Sequence, residues 1–149
     1  MVTIRSGVVV SSQPRRHVAD LTSFDVRPRG RVRVHSRSNQ DSLESLADAD
    51  VVIGVGQGVP ADELHQLDEL RDLLGAQIGC TRKLTDIGAM PHARQIGVTG
   101  RAISPSLYVA IGTSGKFNHM VGVRTAGTVL AINPDRDALV FQHADLGVV

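Results

Sequence analysis

Tryptophan is absent from these 149 residues, and one tyrosine and three phenylalanines are all that remain of the aromatics. Stacking platforms for nucleic-acid bases therefore have almost nothing to be built from. The only cysteine, Cys80, excludes an intramolecular disulfide framework and any multi-cysteine metal centre. No apolar run approaches the ~18 residues that a membrane-spanning helix requires. His17, His35, His65, His92, His119 and His143 contain no i, i+4 pair and no H-E-x-x-H arrangement, so a zinc-hydrolase reading has no ligands. A G-x-S-x-G elbow is missing, which leaves serine hydrolysis without support.

What is present reads as a folded domain. Apolar residues make up 42% and charged residues 21%, a globular and not a disordered composition. The length suits one domain that can bury a core without staples. Fifteen glycines imply many tight turns and close backbone approaches.

A net charge of +1 conceals an asymmetry. Residues 1–40 hold eight arginines against Asp20 and Asp25, whereas the remainder is net acidic. A basic arm of this kind can meet nucleic acid or an acidic protein surface. Only Arg15 and Arg16 are adjacent within it, and Phe24 is its single aromatic, which favours a solvated leading segment over a nucleic-acid contact. Its Arg and Ser content faintly suggests a transit peptide, but Pro14 and the Val8–Val10 run argue against an amphipathic helix there.

Arg31 to His35 alternates with the period of a half-buried strand, and Leu43, Leu46 and Ala47 have the spacing of a short helix. The apolar runs 50–56 and 107–112 read as strands covered on both faces, as in a parallel sheet. Between them, Pro60 to Leu74 predicts a helix with proline in its first turn, Asp62 and Glu63 at its positive end, and Gly75 as its stop. Leu64, Leu67, Leu70 and Leu74 form its apolar stripe. Short strands at 76–78, 128–133 and 144–149 and short helices at 82–87 and 115–120 complete an α/β alternation. The fold class expected is a three-layer, Rossmann-like α/β domain with a mostly parallel sheet. The irregular stretch 85–106 is long enough to suggest a functional loop.

In such sheets ligands bind beyond the carboxyl ends of the strands. Four loops qualify: Gly54-Val55-Gly56-Gln57-Gly58, Gly79-Cys80-Thr81-Arg82, Gly112-Thr113-Ser114-Gly115-Lys116 and Asn133-Pro134-Asp135. Glycines with hydroxyl and amide side chains can take a phosphate, though the same residues also serve as caps and turns. No named motif fits. The first loop runs G-x-G-x-G instead of G-x-G-x-x-G, and the Gly115-Lys116 pair has Ala110 and Phe117 where a P-loop needs Gly and a hydroxyl. Cys80 after a strand reads as a small packing residue before it reads as a nucleophile.

The segments Gly79-Cys80-Thr81-Arg82, Asp86-Ile87-Gly88 and Pro91 to Gly100 together resemble the FAD-binding domain of the electron transfer flavoprotein alpha subunit. The resemblance continues through Pro105 to Gly115, His119, Ala131 to Asp135, Phe141-Gln142 and Ala144 to Val149, in order and nearly without gaps. It implies one FAD, a beta-type partner subunit or self-association, dehydrogenases as electron donors, and a quinone reductase or other acceptor. Neither nucleic acid nor a membrane span is expected. Residues 1–40 would be a leading segment with the first strands and 41–149 the FAD-binding domain, without the family's N-terminal domain and closing C-terminal helix. The setting expected is the cytoplasm, or the mitochondrial matrix in a eukaryote.

Residue by residue, the resemblance gives Thr81 the place of a cofactor-binding serine and Arg82 that of an arginine against the flavin ring. Ile96, Gly97, Val98 and Thr99 match the loop whose threonine hydroxyl reaches flavin N5. Ser114, Gly115, Lys116, Phe117, Asn118 and His119 match the turn that takes the phosphates and, through its histidine, the flavin C2 carbonyl. Asn133 falls near the diphosphate and adenosine end. Gln57 replaces a family arginine, which removes a cation and should lower the flavin potential; Val98 replaces a glutamine that contacts the ring. Those two departures favour the competing reading, a degenerate nucleotide-binding or scaffold domain. A nicotinamide-dependent dehydrogenase is the poorer third, because no acid–base residue stands out.

Overall fold

The computed structural model describes residues 44–149. The strand expected over 31–35, the basic arm and Leu43 lie outside the described residues.

Apolar runs bounded by glycine become the strands of one sheet. β1 (Val51–Val55), β2 (Gln77–Cys80), β3 (Leu107–Ile111), β4 (Thr128–Ile132) and β5 (Leu146–Val148) are ordered β2-β1-β3-β4-β5, and every pairing is parallel. Parallel strands need crossovers that cover both faces; β1 to β4 carry buried residues accordingly, whereas all three residues of the edge strand β5 are exposed. Val52, Tyr108, Ala110, Val129 and Ala131 bury into one core layer with Ile96, Ile103, Met120, Val123 and Val140. Ile53, Val55, Cys80 and Val109 bury into the other with Ala76 and Leu84. The alternation of neighbouring residues between two layers is the period-2 signature of a strand buried on both sides. The result is a three-layer, Rossmann-like α/β fold, its sheet parallel throughout.

The helices are short. α1 (Glu44–Ala47) is a single turn, followed after β1 by α2 (Leu67–Leu74), and α3 (Arg82–Asp86) and α4 (Phe117–Met120) begin just after β2 and β3. The continuous helix expected over Pro60–Leu74 is divided: Ala61–Gln66 is a 3₁₀ helix and only the second half is α-helical. The physical reason lies in His65, whose ring Nδ1 donates to the Asp62 carbonyl at 2.7 Å. An α-helix would offer that carbonyl to the residue 66 amide, and a side chain that takes it favours the tighter turn. Leu64, Leu67 and Leu70 pack against the sheet as their spacing requires. Leu74 falls on the last turn, before the left-handed Gly75 turns the chain back toward β2, and stays 39% exposed.

One relationship positions everything that follows. The chain leaves β1, builds β2 at the sheet's edge, and returns to build β3 on the other side of β1. At such a switch point the loops after the two central strands diverge and leave a crevice. Here they are also tied together, because Gly56 N–H donates to the Ile111 carbonyl and Gly58 N–H to the Gly112 carbonyl, each at 2.9 Å. Gly112 has φ +62°, and a Cβ on it would meet the Gly58 backbone at 2.8 Å. Only glycine allows that approach.

Candidate functional site

A cleft of about 710 Å³ opens over the carboxyl ends of the strands, within the size range of small-molecule sites. Its floor is main chain, with Gly58 and Gly112 at the switch point. Its walls come from four loops that lie far apart in sequence. Of the residues expected at the site, Gln57, Thr81, Arg82, Ile96, Val98, Thr99, Ser114, Lys116, Asn118, His119 and Asn133 line it. Gly97, Gly115 and Phe117 do not. Gly97 and Gly115 have positive φ and pack against the backbones of Asn118 and Val140, so they shape the loops, and Phe117 is 74% exposed.

Electrostatically the cleft is polarised. Arg82 and Lys83 stand on the β2 side, Lys116 after β3, and Asp135 and Asp137 on the β4 side. Arg82 meets Asp86 at 3.3 Å on the exposed face of α3. Lys83 Nζ donates to Gln57 Oε1 at 2.7 Å, so the corner where residue 57 carries no charge still holds a cation.

The loop 96–99 is organised by Gln95, which is almost fully buried. Its Nε2 donates to Thr99 Oγ1 at 2.7 Å, and its Oε1 accepts from Thr85 Oγ1 at 2.8 Å. Thr85 Oγ1 also lies 2.8 Å from the Arg82 carbonyl, so Gln95 joins the Thr85 and Thr99 hydroxyls in one network with the main chain at the start of α3. Val98 N–H donates to the Asn118 carbonyl at 2.8 Å, tying this loop to the turn after β3.

Asn133 braces the opposite wall. Its Nδ2 donates to the Thr113 carbonyl at 2.8 Å, and its Oδ1 accepts the Asp135 N–H at 2.9 Å. Thr81 contributes differently, because its Oγ1 is buried without a hydrogen-bond partner in the protein. An orphaned hydroxyl is costly unless something else satisfies it, and here it stands on the wall of a cleft.

His119 is 7% exposed. Its Nε2 lies 2.6 Å from the Tyr108 hydroxyl and its Nδ1 3.3 Å from the Ile96 carbonyl. Burial pulls the ring's pKa down to about 4, against the smaller opposing effect of the Ile96 carbonyl. The imidazole is therefore neutral at pH 7. Cys80 is buried, which pushes its thiol up to about 12 against a weaker effect of Arg94, so the residue packs and does not react.

Sequence reasoning missed Gly58, Lys83, Gln95, Gly112, Asp135, Asp137, Ala138 and Leu139 as lining residues. Gly58, Gly112 and Asp135 stood in the strand-end loops already singled out, so a lining role was within reach. Lys83 gave no signal because its partner Gln57 is 26 residues away, and Gln95 gave none because its partners Thr85 and Thr99 lie in the same irregular stretch. Among the described residues, no group of His, Cys, Asp and Glu could hold a metal ion. No described helix is long and apolar enough to cross a membrane.

Comparison with known proteins adds an independent line. Residues 45–124 match the family model of the electron transfer flavoprotein FAD-binding domain. The chain is 36% identical to an electron transfer flavoprotein subunit alpha of Mycobacterium leprae, across all of this chain and 48% of the relative. It is 45% identical to protein FixB of Azorhizobium caulinodans over 74% of this chain and 31% of the relative. It is 39% identical to a mitochondrial electron transfer flavoprotein subunit alpha of Oryza sativa subsp. indica, over 78% of this chain and 33% of the relative. The chain thus spans half or less of the length of these relatives.

Proposed function

This chain belongs to the electron transfer flavoprotein alpha subunit family, and on that premise we propose that its cleft holds one FAD and that the domain carries electrons instead of transforming a substrate. The observation that carries the reading is the convergence of four loops on one polarised cleft at the β1/β3 switch point. The residues present fit such a group. Thr81 offers a hydroxyl that nothing in the protein satisfies, and the glycine floor lets a flat or extended ligand approach the main chain.

When bound, FAD supplies reversible one- and two-electron chemistry at its ring system. The chain's residues do the rest. Arg82 and Lys83 hold fixed positive charge on the β2 side, which would stabilise negative charge on a reduced ring held there. Thr99, oriented by Gln95, presents a hydroxyl. Ser114 and Lys116 face the middle of the cleft and suit a diphosphate. On the far side, Asn133 holds its wall in place, and the Asp135 and Asp137 carboxylates suit sugar hydroxyls as acceptors. His119 contributes a neutral N–H, not a charge.

Dehydrogenases as donors and a quinone reductase or similar acceptor belong to the same proposal. So does a beta-type partner or a second copy of the chain, which Val98 and Phe117, both exposed, would suit as an apolar rim. Residues 41–149 would serve as the flavin domain. The working compartment proposed is the cytoplasm, or the mitochondrial matrix in a eukaryote; the rice relative is named mitochondrial.

The test is the visible spectrum of the purified chain, alone and after adding FAD, together with calorimetry. Flavin absorbance with quenched fluorescence supports the carrier. No binding at saturating FAD overturns the reading for this chain and leaves a scaffold domain.

A further inference from the structure

Tyr108 is the only tyrosine of the chain and one of its most deeply buried side chains. It does not line the cleft, yet its hydroxyl has one partner, His119 Nε2 at 2.6 Å, and His119 does line the cleft. A phenol oxygen can donate or accept, and a neutral imidazole carries one proton on one of two nitrogens. The second contact of the ring resolves which. Nδ1 faces the Ile96 carbonyl, which can only accept, so Nδ1 carries the proton and Nε2 accepts from the tyrosine.

We propose that Tyr108 is a positioning residue that fixes the tautomer of His119, so that the one ring proton lies on Nδ1 and only that nitrogen can donate toward the cleft. The functional half of this inference, that the fixed N–H serves the flavin, rests on the cofactor reading above. The hydrogen-bond half stands on the protein alone.

Two further observations support it. Glycine in the middle of a strand weakens the strand, yet Gly54 is the fourth of the five residues of β1. A Cβ there would land on the Tyr108 hydroxyl and on the ring carbon that bears it. The sequence thus keeps the space in which this hydroxyl stands. Burial also works on both partners in the same sense. Tyr108 is pushed well above the ordinary tyrosine range, chiefly by desolvation, so it stays protonated and able to donate. His119 is held neutral. A protonated ring would carry donors on both nitrogens, and Nε2 would then donate to the Tyr108 oxygen instead of accepting from it.

The consequence is specific. The Nδ1 contact with Ile96 is long at 3.3 Å, whereas the Nε2 contact is short, so the ring is anchored at its tyrosine end. Its Nδ1–H lies on the side of the loop 96–99, which is itself a wall of the cleft. Without the tyrosine hydroxyl, nothing on the Nε2 side selects this tautomer.

The test uses the full chain labelled with 15N-histidine, without FAD, in two-bond proton–nitrogen spectra at neutral pH. His119→Gln identifies the His119 signals. We expect the Nδ1–H pattern in the unsubstituted chain and, in Tyr108→Phe, a fall of at least roughly fivefold in the ratio of Nδ1–H to Nε2–H, the worth of one ordinary hydrogen bond. An Nε2–H pattern in the unsubstituted chain, or no change in Tyr108→Phe, overturns the proposal. Should Tyr108→Phe fail to fold, uniform 3-fluorotyrosine labelling changes only this hydroxyl, making it a stronger donor. The His119 Nε2 shift should then move toward lower frequency, and an unmoved shift overturns the proposal. In a final arm both chains are loaded with FAD. A changed midpoint potential in Tyr108→Phe supports the functional half, and an unchanged one overturns it. If FAD does not bind at all, the cofactor reading fails and takes the functional half with it, while the tautomer spectra still decide the lock.

Discussion

Lys83 Nζ donates to Gln57 Oε1 at 2.7 Å, joining the first turn of α3 to the loop after β1 across 26 residues. The pairing register explains the meeting, because Val55 at the end of β1 sits opposite Cys80 at the end of β2. A cation therefore stands beside residue 57 although residue 57 has no charge. Lys83→Met should lower the midpoint potential of bound flavin by tens of millivolts, less at high salt because the group is exposed. Gln57→Arg should raise it. The double substitution should depart from the sum of the two, since the side chains touch. Spectroelectrochemistry of the loaded chain reads all three, and an unchanged potential in Lys83→Met removes this residue from the account.

Thr81 and Thr113 both carry a buried Oγ1 without a partner in the protein, but only Thr81 lines the cleft. Valine fills the same space without the hydroxyl. In urea unfolding of the FAD-free chain, both valine variants should be as stable as the parent or up to about 1 kcal/mol more stable. In calorimetry, Thr81→Val should weaken FAD by roughly tenfold, the scale of one lost hydrogen bond, and Thr113→Val should leave it unchanged. Equal weakening by both would mean that neither hydroxyl addresses the ligand directly.

His119 makes stability depend on pH in a defined direction. Its folded pKa lies near 4 and its unfolded value near 6.5, so between them the unfolded chain binds a proton that the folded chain refuses. The contribution is fully present above pH 6.5 and disappears as pH falls toward 4, up to about 3 kcal/mol. Denaturant midpoints between pH 4 and 7 should show this slope, and His119→Gln should flatten it. A slope that survives the substitution belongs to other groups.

Gly54→Ala should be severe for an exchange of one hydrogen for a methyl group. The new carbon would fall on the Tyr108 ring as well as its hydroxyl, between two strands that cannot separate. A loss of about 2 kcal/mol or more follows from overpacking of this kind. Because the ring itself is hit, Tyr108→Phe in the same chain should not rescue it. Tyrosine fluorescence, which comes from a single residue here, follows the unfolding.

The strands were legible because burial on both faces leaves unbroken apolar runs closed by glycine, as at Val51–Val55 and Leu107–Ile111. The four strand-end loops were legible for the same reason, since a parallel sheet collects its carboxyl ends on one side. The first half of the helix after Pro60 was not, because leucine spacing cannot distinguish an α-turn from a 3₁₀ turn held by His65 and the Asp62 carbonyl. Nor could Tyr108 be told from a packing residue. Its partner lies 11 residues on, past a turn, and no local pattern announces a hydrogen bond between a strand and the helix after it. Gln95 was hidden likewise, as a polar residue in an irregular stretch whose partners Thr85 and Thr99 lie on either side of it.

The floor of the cleft is backbone, held by Gly56, Gly58 and Gly112 at contact distances that leave no room for a side chain. Its chemistry consists of main-chain amides and carbonyls, which side-chain substitutions elsewhere leave in place. Variation within such a lineage is thereby confined to the walls, where Gln57, Lys83, Val98 and Lys116 stand. A homologue with a different potential or a different partner should differ at those positions and keep the same floor. The glycines act as the constant ground on which redox character can diverge one side chain at a time.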